Sequence, residues 1–311
     1  MKPMKSVEEP AAPRTEPQTA AVFAAMFFAV FALASSSIFI AKLAAVPALV
    51  IAFYRMAITT ALLMPAALAL KRRELMAFTR RDLGLLVLGG ACLAIHFGAW
   101  ITSLKYIPIA TSVVLVNSHP LFVVIASAIF LGERPGARSL AGTLLGLAGM
   151  LVISWNALAG TQQNESSHAL AGDTLAVIGA LAVVGYFIVG RKARARMSLL
   201  GYATPLYGVC SIFLLLMVLI TRSRLAPYSG GEWLYFILLA VVPTILGHTV
   251  FNWALRHVRP SAISVAFLGE PVVAALLAFL VFDQRPPLAT FIGGALILAG
   301  IYLTTSARPA A

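Results

Sequence analysis

The chain of 311 residues has little charge and few cysteines: Asp, Glu, Lys and Arg make up 11% of it, and there are two cysteines. Cys92 and Cys210 stand far apart in apolar stretches, which excludes a disulfide framework or a zinc knuckle and leaves both as small packing residues. Acids are scarcest, 11 against 23 Lys and Arg. The sequence has no Gly-rich phosphate loop ending in Lys-Ser/Thr, so this chain does not hydrolyse ATP. It also lacks His-Glu-x-x-His, so no metal-ligating motif is present and no cofactor is called for.

What the chain has instead is apolar surface. Hydrophobic residues make up 60% of the sequence, and its mean hydropathy is +0.93. That is more than a soluble core can use. A spanning helix needs roughly 20 apolar residues. Ten segments qualify: 20–41, 47–70, 82–104, 108–131, 138–155, 170–190, 201–221, 233–255, 260–282 and 288–305. The expectation is an all-α integral membrane protein with little chain left for a soluble domain.

The net charge of +12 raises nucleic acid as a partner, but the placement of the basic residues argues against it. With the N-terminus inside, Lys42, Lys105, Arg222, Arg224 and Arg285 fall outside and Arg55 within a span, leaving 17 of the 23 on the inner side. The basicity is thus a topology signal that puts both termini in the cytoplasm, with membrane lipids as partners. Residues 1–19 are polar and Pro-rich and read as a disordered tail, and 306–311 as a C-terminal tail. Ala32-Leu33-Ala34 resembles a signal-cleavage site, but cleavage there would remove half of the first span. Asn164-Glu165-Ser166 fits a glycosylation sequon, a match too short to carry weight.

The same hydrophobic pattern occurs twice. Leu104, Val114, Pro120, Arg134, Pro135, Gly142, Leu145, Ala148 and Gly149 reappear 151 positions later as Leu255, Val265, Pro271, Arg285, Pro286, Gly293, Leu296, Ala299 and Gly300. The repeats are expected at 20–155 and 170–305, joined by an outer loop at 156–169. Each holds five helices, an odd number, so the second copy enters the membrane from the opposite face. The repeats are therefore inverted about an axis in the membrane plane, with the binding site expected at mid-depth between them. Gly142, Gly146 and Gly149 share one helix face and suit a tight crossing.

Leu131-Gly132-Glu133-Arg134 closing the fourth span, Gly269-Glu270-Pro271-Val272 within the ninth, and the glycine-rich helices ending each copy carry a family likeness. The chain resembles the drug/metabolite transporter superfamily, specifically ten-helix permeases with two EamA-type domains. The resemblance implies an inner-membrane permease exporting amino acids or similar small metabolites. Drug, organic-cation and nucleotide-sugar carriers of the same fold are the alternative. Where the family's second copy commonly closes its fourth helix with Gly-Glu, this chain has Asp283-Gln284, so Glu133 reads as a helix-end charge near headgroups.

Ionisable groups inside a span cost about 2.5–3.5 kcal/mol on insertion scales, so each one marks a candidate site. Glu270 is the one acid deep in a span, roughly 15 Å from the inner surface by helical rise. Its equivalent 151 positions earlier is His119, and each is followed by proline, Pro120 or Pro271. Each proline frees the carbonyl four residues back, that of Val116 or Phe267, which a membrane tolerates beside a cavity. The plainer reading makes these prolines simple bends. His96 and Trp100 share a helix face, as do His248 and Asn252; packing and function are even readings for the histidines.

Arg55 keeps its proton and needs a partner: Glu270, or a substrate carboxylate. Tyr54, Tyr186, Tyr202 and Tyr207 are further candidates for lining that space, with Tyr202 also suited to an interfacial anchor and Lys42 to snorkelling. The reading is a secondary transporter, not an enzyme, working as a monomer on a small-molecule substrate by alternating access around Glu270 and His119. A metal-dependent intramembrane enzyme using His96, His119, His248 and Glu270 is the rival class, disfavoured because all four sit on different helices.

Overall fold

The computed structural model describes residues 19–133, 135–160, 167–273, 276–277 and 288–305. The chain runs through α1 (Thr19–Lys42), α2 (Ala48–Met76), α3 (Arg80–Ser103), α4 (Ile109–Val116), α5 (His119–Leu131), α6 (Ala137–Gly160), α7 (Ser167–Arg194) and α8 (Leu199–Ile220). It continues through α9 (Gly230–Leu239), a π-helix (Ala240–His248), α10 (Thr249–Ala254), α11 (Pro260–Phe267) and α12 (Leu288–Thr305). Among the described residues, nine segments are long and apolar enough to cross a bilayer. Helices α4 and α5 make one span, and α9, the π-helix and α10 make another. The expected ninth span is described as an apolar helix over Pro260–Val273. Most of its remainder lies outside the described residues, as do the first 18 residues, the sequon, Asp283-Gln284 and the last six residues.

Polar residues set where spans begin. Thr79 caps α3 reciprocally with Asp82, whose Oδ2 accepts the Thr79 N–H at 3.0 Å. Ser229 does the same for α9 with Glu232. Such boxes satisfy backbone donors that a helix start leaves open. At the same face as Ser229, Lys105, outside the spans, donates to the carbonyl of Ala44 at 2.7 Å, and its burial lowers the ammonium pKa below the ordinary lysine value.

These caps expose a register change between the repeats. Ser229 follows Thr79 by 150 positions, whereas Leu255 follows Leu104 by 151, so the eighth span holds one residue more than the third. The π-helix lies between those markers. Its wider i→i+5 turn absorbs an added residue without displacing the helix ends.

Packing obeys the exchange of repeats. Helix α3 packs along α7, and their respective exchange partners, the eighth span and α1, pack along each other; α2 with α8 and α6 with α12 are self-exchanging pairs. In the last pair, a Cβ on Gly149 would lie 2.5 Å from the carbonyl oxygen of Gly293, and one on Gly300 would lie 2.5 Å from that of Gly142. Gly293 and Gly300 are the 151-offset equivalents of Gly142 and Gly149. The early glycine of each helix therefore meets the late glycine of the other, the signature of antiparallel helices across a two-fold axis. Two inverted helical repeats form the fold.

One expectation needs correction. Tyr202 is fully buried, with its hydroxyl unpartnered among the described residues, because it packs under α7 rather than at an interface. Glu133, read as a helix-end charge, does sit at the end of the fourth span, where it pairs with Arg191 of the sixth at 3.2 Å.

Candidate functional site

The fourth and ninth spans break at matching positions. Helix α4 stops at Val116 and α5 starts at His119; α11 stops at Phe267 and the chain is helical again from Glu270. The intervening pairs, Asn117-Ser118 and Leu268-Gly269, are turns. Pro120 and Pro271 cannot donate to the carbonyls of Val116 and Phe267, which leaves both without the usual helical partner. Val116 and Phe267 line a common cavity of about 30 Å³ together with His119 and Glu270.

The same cavity collects Leu33 and Ser36 from α1, Arg55 from α2, His96 and Trp100 from α3, and His248 from the π-helix. Six of the eight polar and aromatic residues expected at the site thus converge: Glu270, His119, His96, His248, Arg55 and Trp100. Asn252 and Tyr186 do not line it. They are bonded to each other nearby, Tyr186 Oη donating to Asn252 Oδ1 at 2.6 Å. Tyr54 is engaged elsewhere, donating to the carbonyl of Leu225 at 2.5 Å.

Arg55 is wholly buried and held on three sides. Its Nε donates to Thr244 Oγ1 at 2.8 Å, its Nη1 to Ser36 Oγ at 3.1 Å, and its guanidinium lies 4.2 Å from the centre of the Phe97 ring. Its Nη2 has no partner among the described residues. Glu270 retains exposed surface in the cavity, beside Asn117, and forms no ion pair with Arg55 within 4.0 Å. The two opposite charges share one small space without closing on each other.

His96 Nδ1 lies 2.9 Å from the carbonyl of Gly179, so Nδ1 carries the hydrogen and Nε2 is left as an acceptor. Its ring stacks on Trp100 at 6.1 Å. His119 sits edge-to-face with Phe187 and Phe267 at 5.7 and 5.6 Å. His248 packs on Phe97 at 5.2 Å. Trp100 Nε1, His119 Nδ1 and His248 Nδ1 are buried without hydrogen-bond partners among the described residues. Leaving a buried polar group unsatisfied costs about 1–3 kcal/mol, so this many around one cavity point to a polar occupant. The volume suits a water or two rather than a metabolite, so a larger guest requires the helices to part.

Among the described residues no group of three or more His, Cys, Asp and Glu is placed to hold a metal ion. Sequence reasoning missed Ser36, Asn117, Thr244 and Phe97. Asn117 was within reach, two residues before His119 at the expected break. Thr244 carries no such signal, because its aim depends on the π-helix.

This doubled arrangement has known counterparts. Residues 20–155 and 170–306 each match the EamA-like transporter family. The chain belongs to that family. An uncharacterized transporter of Archaeoglobus fulgidus is 27% identical, with 82% of this chain and 87% of the relative aligned. The pseudopaline exporter CntI of Pseudomonas aeruginosa is 26% identical over 82% of this chain and 85% of its own. A probable terminal-alkyne amino-acid exporter of Streptantibioticus cattleyicolor is 27% identical over 64% of each chain. One crystal structure superposes with a TM-score of 0.75 at 22% identity, covering 92% of this chain and 96% of that one, so the two share a fold. This EamA-like chain is a multi-pass membrane transporter.

Proposed function

We propose that this EamA-like protein exports or facilitates the passage of amino acids or related small metabolites across the cytoplasmic membrane by alternating access. The observation that carries the reading is the unpaired proximity of Arg55 and Glu270 in one cavity. A zwitterion satisfies both at once: its carboxylate takes the free Nη2 of Arg55, and its ammonium takes the carboxylate of Glu270. The names of the amino-acid and pseudopaline exporters agree with that class. The face carrying most basic residues is taken as cytoplasmic, by the positive-inside rule. The protein works as a monomer in contact with anionic lipid, its repeats spanning 20–155 and 170–305, and no covalent chemistry is required.

In the proposed cycle the substrate enters as helices part on one side and screens the two charges from each other. The helix groups then rock about the broken fourth and ninth spans to open the other side. Aromatic faces around Glu270 also suit an organic cation, but Arg55 in the same space opposes one without a carboxylate.

The test is reconstitution in liposomes with labelled amino acids, organic cations and nucleosides, with and without a pH gradient. On a transported amino acid, Glu270→Gln is expected to lower the rate at least about 30-fold, the scale of losing one partner of a buried charge contact. His119→Gln is expected to lower it only a few-fold, since His119 makes no charge contact. Wild-type rates in folded Glu270→Gln protein, or transport of organic cations alone, would overturn this reading.

A further inference from the structure

Below the cavity, toward the basic face, the helices are tied by buried polar side chains that the binding reading does not use. Tyr186 lies three residues past the cavity-lining Val183 on α7, and Asn252 four residues past the cavity-lining His248. At 1.5 Å per residue both stand about 5–6 Å nearer that face. Asn252 is wholly buried, and both its side-chain polar atoms are hydrogen-bonded. Its Oδ1 accepts from Tyr186 Oη at 2.6 Å, its Nδ2 donates to Tyr207 Oη at 3.0 Å, and its carbonyl accepts from Arg194 Nε at 3.0 Å. Tyr207 bonds in turn to Thr249 Oγ1 at 3.0 Å, which donates to the carbonyl of Thr244 at 3.0 Å. Thr244 is the residue that holds Arg55.

On the opposite side of the cavity the described residues show one buried side-chain pair, Ser103 Oγ and Ser112 Oγ at 2.6 Å, and no hydrogen-bonded chain leading from it to Arg55. One turn beyond Ser36 is Ile40, and one turn beyond Arg55 is Ile51, both buried in the apolar core with Leu43 and Ile101. On the same side Tyr54 stacks on Phe236 at 4.8 Å and meets Trp233 edge-on at 4.9 Å. An apolar seal can close against several partners. A hydrogen-bonded cluster closes in one geometry, and each bond left open while buried is costly.

We propose that Tyr186, Tyr207 and Asn252 form a latch that closes the cavity toward the basic face, with Asn252 as its hub and Thr244 joining it to Arg55. The inference rests on the alternating-access reading and assigns its basic-side gate. A substrate carboxylate that turns Arg55 disturbs Thr244 in the π-helix, and through it the latch, so occupancy and opening are linked. The three are positioning residues; they do not touch the substrate.

The test reads access rather than transport. In a Cys92→Ala, Cys210→Ala background, Val183→Cys places a reporter thiol in the cavity. Its reaction with a membrane-impermeant thiol reagent is followed from each face of oriented proteoliposomes. Tyr186→Phe, which keeps the ring and removes one hydrogen bond, is expected to speed labelling from the basic face about threefold to tenfold, and Asn252→Ala at least tenfold. Labelling from the opposite face is expected to hold or fall. Unchanged basic-face labelling in Tyr186→Phe, or equal acceleration from both faces, overturns the latch. Labelling needs no substrate, so a wild-type protein that moved no solute would sink the transport assignment without touching this result.

Discussion

The third and eighth spans begin with the same capping device and end on equivalent leucines, yet the eighth carries one more residue between those markers. The third stays α-helical throughout, and the eighth takes up the difference as a π-helix beside Arg55. Duplication has kept the ends, which must satisfy open backbone donors at the membrane faces, and released the middle. The released segment aims Thr244 at Arg55, His248 at the cavity and Thr249 at Tyr207.

The sharpest way to break that comparison is to make the two spans alike. Deleting Val242 is expected to turn the π-helix into a regular α-helix with its ends unmoved, and to shift Thr244 away from Arg55. Transport is expected to fall at least about 30-fold, because a buried guanidinium loses an acceptor worth several kcal/mol in such settings. Circular dichroism and gel filtration are expected to match wild type. Undiminished uptake by the deletion variant would make the π-helix a tolerated insertion with no part in the site.

The broken spans show how much of this was legible in the sequence. Pro120 and Pro271, each following a titratable residue at the same offset, located both breaks and with them Val116, His119, Phe267 and Glu270, because proline's missing donor acts locally wherever it falls, while Arg55, His96, His248 and Trp100 stood out as polar groups within spans. Asn252 and Tyr186 were read as site residues because they are polar and deep. Depth is set by sequence position, but facing is set by helix rotation, and packing turns both toward the latch. Tyr202 went astray for the same reason: a tyrosine near a span end suits an interface, yet α8 buries this one against α7. The π-helix changes rotation within a span, so Thr244 could not be placed from spacing at all.

A second contrast separates glycines the two-fold requires from one it does not. Gly149 faces the backbone of α12, whereas a Cβ at Gly84 would meet nothing within 4 Å. Gly149→Ala is expected to destabilise by about 1–3 kcal/mol, the range for forcing extra volume into a packed contact. Gly84→Ala is expected to be neutral or stabilising by up to about 1 kcal/mol, through helix propensity alone. Thermal unfolding in detergent, followed by tryptophan fluorescence, checks both. Equal midpoints would mean the sixth and twelfth helices do not depend on close backbone approach.

The smallest effect concerns the self-exchanging pair α2 and α8, whose two ends are finished differently. At the basic face Glu74 Oε1, near the end of α2, accepts the backbone N–H of Ser198 at 2.7 Å, just where α8 starts. The equivalent of Ser198 at the other face is Pro47, which starts α2 and has no N–H to satisfy. One face therefore spends a carboxylate on an open donor, and the other removes the donor. Glu74→Ala is expected to cost about 1 kcal/mol, the usual loss for a helix-start acceptor. That corresponds to a fall of about 2 °C in the unfolding midpoint. Pro47→Ser, which restores a donor and supplies its own hydroxyl cap, is expected to shift it less. A loss in Pro47→Ser as large as that in Glu74→Ala would show that the two ends are equivalent after all, and that the carboxylate clip adds nothing beyond ordinary capping.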